Sequence, residues 1–149
     1  GYYYIVRSMS KAPADLQMRG ALSDVRPIPG YPGKWVMREY GLCKGCPLVD
    51  NYINEYVYDT KGNYGWLVKN EEIDPRFVDK AVIKDLVREL QHQTTIVEQV
   101  GGRGVRWLFQ SPAFKEAFEK YLLRSHPQLA EKLQKTVFFY DVNGFRVNP

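Results

Sequence analysis

The stretch YVYDTKG, residues 56–62, decides how this chain is expected to fold. It is rich in β-branched and aromatic side chains, which favour strands, and a glycine ends it. The preceding stretch, residues 47–53, has a similar composition, and Asn54-Glu55 separates the two as a turn. We therefore predict a β-hairpin whose second strand, Tyr56 to Lys61, ends in the polar triplet Asp59-Thr60-Lys61.

After this hairpin, segments with helical spacing alternate with short apolar β runs. Asp74-Pro75 is a helix start signal, apolar residues then recur every three or four positions, and Gly101-Gly102 ends the helix. A strand, a second helix, a short helix and a last β run are expected at residues 105–109, 111–122, 128–134 and 136–140. Strands that first cluster and then alternate with helices predict an α/β fold, with a mixed central sheet flanked by helices.

The first third of the chain is irregular by comparison. Residues 13–22 have loose helical spacing and predict a short helix, and the run PIPGYPG at 27–33 breaks any regular element. Trp35 to Tyr40 alternates as a strand does. We expect a single domain, in which residues 1–34 form an irregular N-terminal segment and residues 35–149 the main body.

Composition limits the class of protein. The 149 residues are 44% hydrophobic and 26% charged, which excludes a disordered tail. We expect no membrane span, because no apolar run approaches about 20 residues, and the N-terminus lacks the pattern of a secretory signal peptide. The leading Gly, in place of Met, leads us to expect a longer natural protein. The net charge of +4 permits a polyanionic partner. Arg103, Arg106 and Lys69 are either phosphate contacts for such a partner or solvated surface charges.

Both cysteines lie in a single motif, Cys43-Lys44-Gly45-Cys46. A four-ligand zinc site needs a second such pair, and His92 and His126 lie far along the chain without zinc-finger spacing. Three interpretations stay open: a structural loop, a disulfide or redox pair, and a metal site.

Asp59 and Lys61 lie two residues apart on the second hairpin strand, so their side chains are expected on the same face. Asp50 lies on the first strand of the hairpin. Pairing of the two strands would bring its carboxylate next to that of Asp59. Two carboxylates and a lysine suit phosphodiester cleavage, because Mg²⁺ takes oxygen ligands and a lysine can position or deprotonate the attacking water. The alternative is a solvated Asp-x-Lys pair without chemistry.

The apolar stripe of the long helix is interrupted at Gln91-His92-Gln93. Gln93 stands where the stripe predicts an apolar residue after Leu86 and Leu90. A buried glutamine needs hydrogen-bond partners. These are either backbone groups at a helix–sheet contact or the metal-bound water, the lysine or a phosphate of the site. His92 is one position off the stripe and is assigned no role.

With these residues in place, the run YVYDTKGNY at 56–64 resembles the nuclease signature of the PD-(D/E)XK superfamily. More narrowly, the chain is similar to the restriction-endonuclease-fold toxin domains of bacterial polymorphic toxins, above all to the fifth such family. In that family the acid-x-Lys strand is followed by a helix with glutamines, a Trp-x-Phe strand, a helix and a β run. Here those features are Gln91 and Gln93, Trp107-Leu108-Phe109, Phe114 to Leu122 and Val137 to Tyr140.

The resemblance implies a metal-dependent nuclease. Asp50 then matches the first metal-binding acid, Asp59 the second metal-binding acid and Lys61 the catalytic lysine. Gln93 matches the catalytic glutamine of the helix, with Gln91 as the fallback. Mg²⁺ or Mn²⁺ is the implied cofactor, DNA the expected substrate and RNA the alternative.

Such domains act as antibacterial toxins. They usually form the C-terminal part of effectors delivered by contact-dependent or type VI secretion, and a cognate immunity protein neutralises them. The resemblance implies that residues 35–149 are a toxin domain with a restriction-endonuclease-like core, carried by a secretion-system component into the cytoplasm of a target bacterium. The net charge leads us to expect an acidic immunity protein that covers the cleft.

Two features depart from the family pattern: the second acid, Asp59, is not the frequent Glu, and Val rather than Pro precedes Asp50. Two further acids are auxiliary candidates that could add a metal ligand or replace Asp50. They are Glu39, on the predicted strand Trp35 to Tyr40, and Glu55, in the hairpin turn. Two other classes of function stay open. One is a non-catalytic nucleic-acid- or protein-binding module on a nuclease-like fold, and the other is a domain with no nucleic-acid role that the cysteine pair stabilises.

Overall fold

The structure is a computed structural model that describes residues 3–9, 25–27, 29–30, 35–46, 48–49 and 51–141. The helix expected over residues 13–22 lies outside these ranges. The strands are β1 Tyr3–Met9, β2 Val25–Pro27, β3 Trp35–Gly41, β4 Leu48–Val49, β5 Asn51–Ile53, β6 Tyr56–Lys61, β7 Val68–Lys69, β8 Glu72–Ile73, β9 Gly104–Phe109 and β10 Val137–Asp141. The α-helices are α1 Ala81–Gln99, α2 Pro112–Ser125 and α3 Pro127–Ala130, and single 3-10 turns occupy Gly65–Leu67 and Pro75–Phe77.

The predicted α/β class with a mixed sheet is confirmed. One sheet has the order β10-β9-β6-β5, in which β6, β9 and β10 run parallel and β5 is antiparallel to β6. A second sheet has the order β1-β3-β2, and β4 also pairs with β3. β7 and β8 form a separate antiparallel pair. Of the helices in the described ranges, none is both long and apolar enough to cross a bilayer.

The predicted hairpin is confirmed for residues 51–61, whereas Leu48 and Val49 of the predicted first strand pair with β3 instead. Ile53 pairs with Tyr56, and Asn54 and Glu55 form the two-residue turn between them. Their φ angles of 52° and 69° are both positive, as a type I′ hairpin turn requires. The hairpin therefore delivers β6 into the sheet between β5 and β9.

Helix α1 packs one face against the sheet. Its buried residues recur at three- and four-residue spacing and are Ile83, Leu86, Val87, Leu90, Gln93, Thr94 and Val97. The predicted start of this helix at Asp74 is wrong: Asp74 caps the 3-10 turn, and the α-helix begins at Ala81. The reason is that Lys80 is extended, with ψ of 145°, which interrupts helical hydrogen bonding. The predicted end is confirmed, because Gly101 has φ of +72°.

An aromatic core fills the space between the sheet and the two long helices. Helix α2 starts where predicted, since Ser111 Oγ accepts a 3.1 Å hydrogen bond from the Phe114 amide. The Phe114 and Phe118 rings stack at 5.6 Å, and the Trp107 and Phe139 rings stack at the same centroid distance. Trp107 is fully buried and anchors β9 in this cluster.

The last part of the described chain differs slightly from expectation. Helix α3 ends at Ala130, before the end of the predicted 128–134, because the amides of Lys132 and Leu133 donate to carbonyls three residues earlier, as in a turn. The final strand is confirmed as β10. Beside its start, a Cβ atom on Gly104 would lie 2.5 Å from the carbonyl oxygen of Thr136. That oxygen also accepts a 2.8 Å hydrogen bond from the Val105 amide, so position 104 has no room for a side chain.

Candidate active site

Asp59 and Lys61 project from the same face of β6, as predicted. Lys61 Nζ lies 3.4 Å from Asp59 Oδ2, and the two residues are only 5% and 6% exposed. The ammonium also lies 4.2 Å from the ring centroid of Trp107, which pairs with Asp59 across the β6–β9 ladder. The cation–π contact with Trp107 and the ion pair with Asp59 hold this buried ammonium in place.

Gln93 of α1 lies against this pair. Its Nε2 donates a 2.9 Å hydrogen bond to Asp59 Oδ2, and its Oε1 accepts a 2.7 Å hydrogen bond from the indole Nε1 of Trp107. These partners are side chains, so the interpretation with backbone partners is wrong, and contact of Gln93 with the lysine, a metal-bound water or a phosphate stays a prediction. The amide is satisfied by side chains on two strands and not by backbone groups.

Glu89 completes the cluster, and sequence analysis missed it. It lies one helical turn before Gln93, and its Oε1 accepts hydrogen bonds from Lys61 Nζ at 2.7 Å and from Gln93 Nε2 at 3.2 Å. The Lys61–Glu89 ion pair is therefore shorter than the Lys61–Asp59 pair. The available signal was the four-residue spacing between Glu89 and Gln93, which places both on one helix face.

The two carboxylates lie close enough to affect each other. Burial, followed by hydrogen bonding and repulsion from Asp59, raises the pKa of Glu89 to about 7, although the Lys61 ammonium acts in the opposite direction. With both acids ionised the cluster would carry one excess negative charge in a partly dry site, and this is why Glu89 takes up a proton near neutral pH. Such an arrangement is stabilised by an additional cation.

An open cavity of about 590 Å³ gives access to this cluster from solvent. Asp59, Lys61 and Glu89 line it, together with Glu39 of β3 and Asp85 of α1. Glu39 is half-buried, so the structure places this auxiliary candidate at the cavity. The charged residues of the lining are thus four acids and one lysine.

Two further candidates, Glu55 and Gln91, lie away from this cluster. Glu55 is exposed in the hairpin turn at the opposite end of β6, about 13 Å along the strand from Asp59, which is too far for a shared ligand. Gln91 is exposed and lines a different cavity, between α1 and α3, so it does not replace Gln93. Asp50 lies outside the residues that the structure describes.

Two candidate phosphate contacts, Arg106 on β9 and Arg103 just before it, also lie away from the cavity. Arg106 pairs with Tyr58, its Nη1 donates a 2.6 Å hydrogen bond to the Tyr58 hydroxyl, and its guanidinium lies 3.7 Å from the Tyr56 ring centroid. Alternate residues of a strand face opposite sides, so Arg106 faces away from Asp59 and Trp107. Arg103 lies over the same Tyr56 ring, near the start of the strand.

A divalent cation fits the donor set. Within the described ranges, no group of three or more His, Cys, Asp and Glu is arranged to hold a metal ion. Asp59 and Glu89 nevertheless offer two converging carboxylates in a cavity with room for water. Mg²⁺ is commonly held by one or two carboxylates, with water and phosphate oxygens as its other ligands.

The cysteine motif has a separate role. Cys43 and Cys46 form a disulfide across the turn that follows β3, and the Cys46 amide donates a 3.0 Å hydrogen bond to the Cys43 carbonyl. Of the three interpretations, the structure therefore has the disulfide. Cysteines bonded to each other are not thiolate ligands, so this pair holds no zinc in the oxidised state.

Comparison of the chain with protein-family models, with curated proteins and with solved structures finds no match.

Proposed function

We propose that this chain is a metal-dependent nuclease that hydrolyses phosphodiester bonds in DNA, with RNA as the alternative substrate. A restriction-endonuclease-like core is part of this proposal. The observation that carries it is the buried Lys61 ammonium, which lies 2.7 Å from Glu89 and 3.4 Å from Asp59 at the floor of an open cavity. A merely structural ion pair needs no second carboxylate and no access to solvent.

The cation would be held by Asp59 and Glu89. Asp50 is a further ligand implied by the resemblance, and Glu39 is the auxiliary acid at the cavity. Mg²⁺ or Mn²⁺, when bound, would lower the pKa of a bound water and offset charge on the phosphate. Hard oxygen donors of this kind match both ions.

Lys61 has the central role among the side chains of the chain. Its ammonium would hold the attacking water or a non-bridging phosphate oxygen and offset the negative charge that develops at phosphorus. Hydrolysis forms a bond from the water oxygen to phosphorus and breaks one ester bond to a sugar oxygen, which leaves with a proton. Gln93 is a positioning residue, because its amide, fixed by Trp107, orients the Asp59 carboxylate.

The biological setting follows from the resemblance. We propose that the nuclease is an antibacterial effector toxin, carried by a contact-dependent or type VI secretion component into the cytoplasm of a target bacterium. A cognate immunity protein would neutralise it by covering the cavity. The net charge of +4 favours an acidic partner, whose association would slow as salt is added.

A plasmid-nicking assay tests the activity. Supercoiled plasmid is incubated with the protein in Mg²⁺, in Mn²⁺ and in EDTA, beside a labelled RNA of similar length. We expect cleavage only with the divalent ion, and loss of cleavage in Lys61→Ala. Lys135→Ala is the matched control, because this exposed lysine precedes β10 at the opposite end of the parallel strands.

Two results would overturn the proposal: cleavage that persists in EDTA, or full cleavage by Lys61→Ala. Retained nucleic-acid binding without any cleavage would favour the non-catalytic binding module. Expression in a bacterial host adds a readout in cells, since wild type should stop growth and Lys61→Ala should not.

A further inference from the structure

An exposed aromatic and cationic surface lies beside the cavity, and the proposed mechanism does not use it. We define the Trp66 patch as Trp66, Phe77, Arg76 and Lys80. Trp66 is 59% exposed, and its ring meets the Phe77 ring edge to face at 5.6 Å. The Arg76 guanidinium and the Lys80 ammonium lie 5.1 Å and 5.7 Å from the Phe77 ring centroid.

The charges of Arg76 and Lys80 are compensated to different degrees. Arg76 forms a two-pronged contact with Asp74, at 2.8 Å and 3.1 Å from its Nη2 and Nε, so its charge is largely compensated. Among the described residues, no carboxylate forms an ion pair with Lys80. The patch therefore presents one uncompensated ammonium beside an exposed indole.

Two chain segments connect the patch to the cavity. Gly62 and Tyr64 line the cavity, and Trp66 follows two residues later in the 3-10 turn. Val82 of α1 lines the cavity from the other side, and Lys80 precedes it by two residues. Trp66 lies five positions after Lys61, so the two Cα atoms are at most about 17 Å apart, a span of a few nucleotides.

An exposed tryptophan beside a lysine is suited to bind a nucleotide through its base, and not through a phosphate alone. Aromatic faces bind single strands by stacking with their bases, and neighbouring cations follow the backbone. In a duplex the base faces are already stacked on one another, so a flat indole at the surface has nothing comparable to bind. The chemistry of the patch thus selects unpaired bases.

We propose that the Trp66 patch stacks an unpaired base of the strand whose phosphate enters the cavity. The substrate class is then single-stranded nucleic acid, or a loop or frayed end of a duplex. This inference rests on the proposed nuclease function. Its own test, however, measures binding and needs no cleavage.

The test measures fluorescence anisotropy of a labelled oligo-dT strand and of a strand of equal length with abasic sites. Both are titrated in EDTA with Lys61→Ala protein. Trp66→Ala should weaken binding of oligo-dT by about 5- to 150-fold, and Trp66→Phe should restore most of it. The abasic strand should bind weakly to every variant, with no further loss on Trp66→Ala.

Lys80→Gln should weaken binding of both strands alike and reduce the slope of log affinity against log salt by about 0.7, since it removes one phosphate contact. Val100→Ala is the control for an exposed apolar side chain, because Val100 lies just beyond the other end of α1, about 30 Å from Lys80. It should bind both strands as the parent protein does.

The inference is overturned if Trp66→Ala binds oligo-dT normally, or if it loses equal affinity for the abasic strand. Tighter binding of duplex that is independent of Trp66 would also overturn it. If the protein cleaves plasmid but Trp66→Ala does not weaken binding of oligo-dT, this inference alone is contradicted. Trp66-dependent binding without cleavage in any metal would contradict only the nuclease proposal.

Discussion

The indole Nε1 of Trp107 donates a 2.7 Å hydrogen bond to Gln93 Oε1, between β9 and α1. A glutamine amide has one acceptor oxygen and one NH₂ group. Since the indole occupies the oxygen, the NH₂ group is directed at the Asp59 and Glu89 carboxylates. A fully buried aromatic residue thus sets the orientation of a polar group at the site.

Trp107→Phe tests this relationship, because it keeps an aromatic ring and removes the donor. We expect the unfolding free energy to fall by about 1–3 kcal/mol from the unsatisfied Gln93 oxygen. Cleavage by the folded protein should fall about 10-fold or more, as a misoriented amide no longer holds Asp59. Urea denaturation and plasmid nicking measure the two effects. Phe139→Leu, in the same ring stack, should lower stability without comparable loss of cleavage; equal loss in both variants would contradict the argument.

Glu89→Gln removes one of the two carboxylates that contact Lys61. We expect Mn²⁺ affinity, measured by isothermal titration calorimetry, and plasmid cleavage each to fall by about 10- to 100-fold. Asp85→Asn is the matched control, because Asp85 lies one turn earlier on α1, lines the same cavity and pairs only with the exposed Arg88 among the described residues. Asp85→Asn should bind metal and cleave nearly as wild type does. Similar losses in both variants would show that the acidity of the cavity as a whole matters, and not the Lys61–Glu89 pair.

Asp74→Asn tests a pH-dependent contribution to stability. Hydrogen bonds from the Arg76 side chain and amide hold the pKa of Asp74 below its ordinary value of 3.8. A carboxyl group whose pKa is lower in the folded chain than in the unfolded chain stabilises the fold at a pH above the unfolded pKa. This stabilisation is lost as the pH falls through the folded pKa. The Tm of Asp74→Asn, followed by circular dichroism, should therefore lie below that of wild type at pH 7, with the gap closing below about pH 4. Asp79→Asn, at an exposed site, is the control and should leave the Tm at pH 7 close to that of wild type. A gap for Asp74→Asn that does not vary with pH would contradict the assignment.

Ser111→Ala removes the cap of α2. Because Ser111 Oγ accepts the Phe114 amide, we expect a loss of about 1 kcal/mol in the free energy of unfolding, measured in urea. Ser125→Ala makes the same substitution at the exposed, C-terminal end of the same helix and should change stability by less than about 0.5 kcal/mol. Equal effects at both ends would mean that the cap contributes nothing specific.

The local elements were predictable because their signals are local. The β5–β6 turn needs two residues that tolerate positive φ, and α2 needs a capping serine followed by proline. The start of α1 was predicted wrongly because Asp74 and Pro75 begin a single 3-10 turn with the same capping chemistry. Nothing in that signal reveals that Lys80 then becomes extended.

The site was predictable where one element's periodicity determines it. Strand alternation placed Asp59 with Lys61, and the interrupted stripe of α1 indicated Gln93. Helix geometry also argues against Gln91, which lies two residues, or about 200° of rotation, from Gln93. Glu89 was missed because a glutamate beside an apolar stripe usually faces solvent, and only the approach of α1 to β6 identifies it as a partner of Lys61.

Gly104 has a consequence for genetic screens. If the chain is toxic to the cell that produces it, selection for survivors will recover substitutions at Gly104 as well as at Lys61, although position 104 lies about 17 Å from that lysine along the sheet. Survivors at position 104 would yield insoluble or degraded protein, because any Cβ atom meets the Thr136 carbonyl. Survivors at Lys61 would accumulate intact protein, so immunoblots of the two groups would separate folding defects from defects in chemistry.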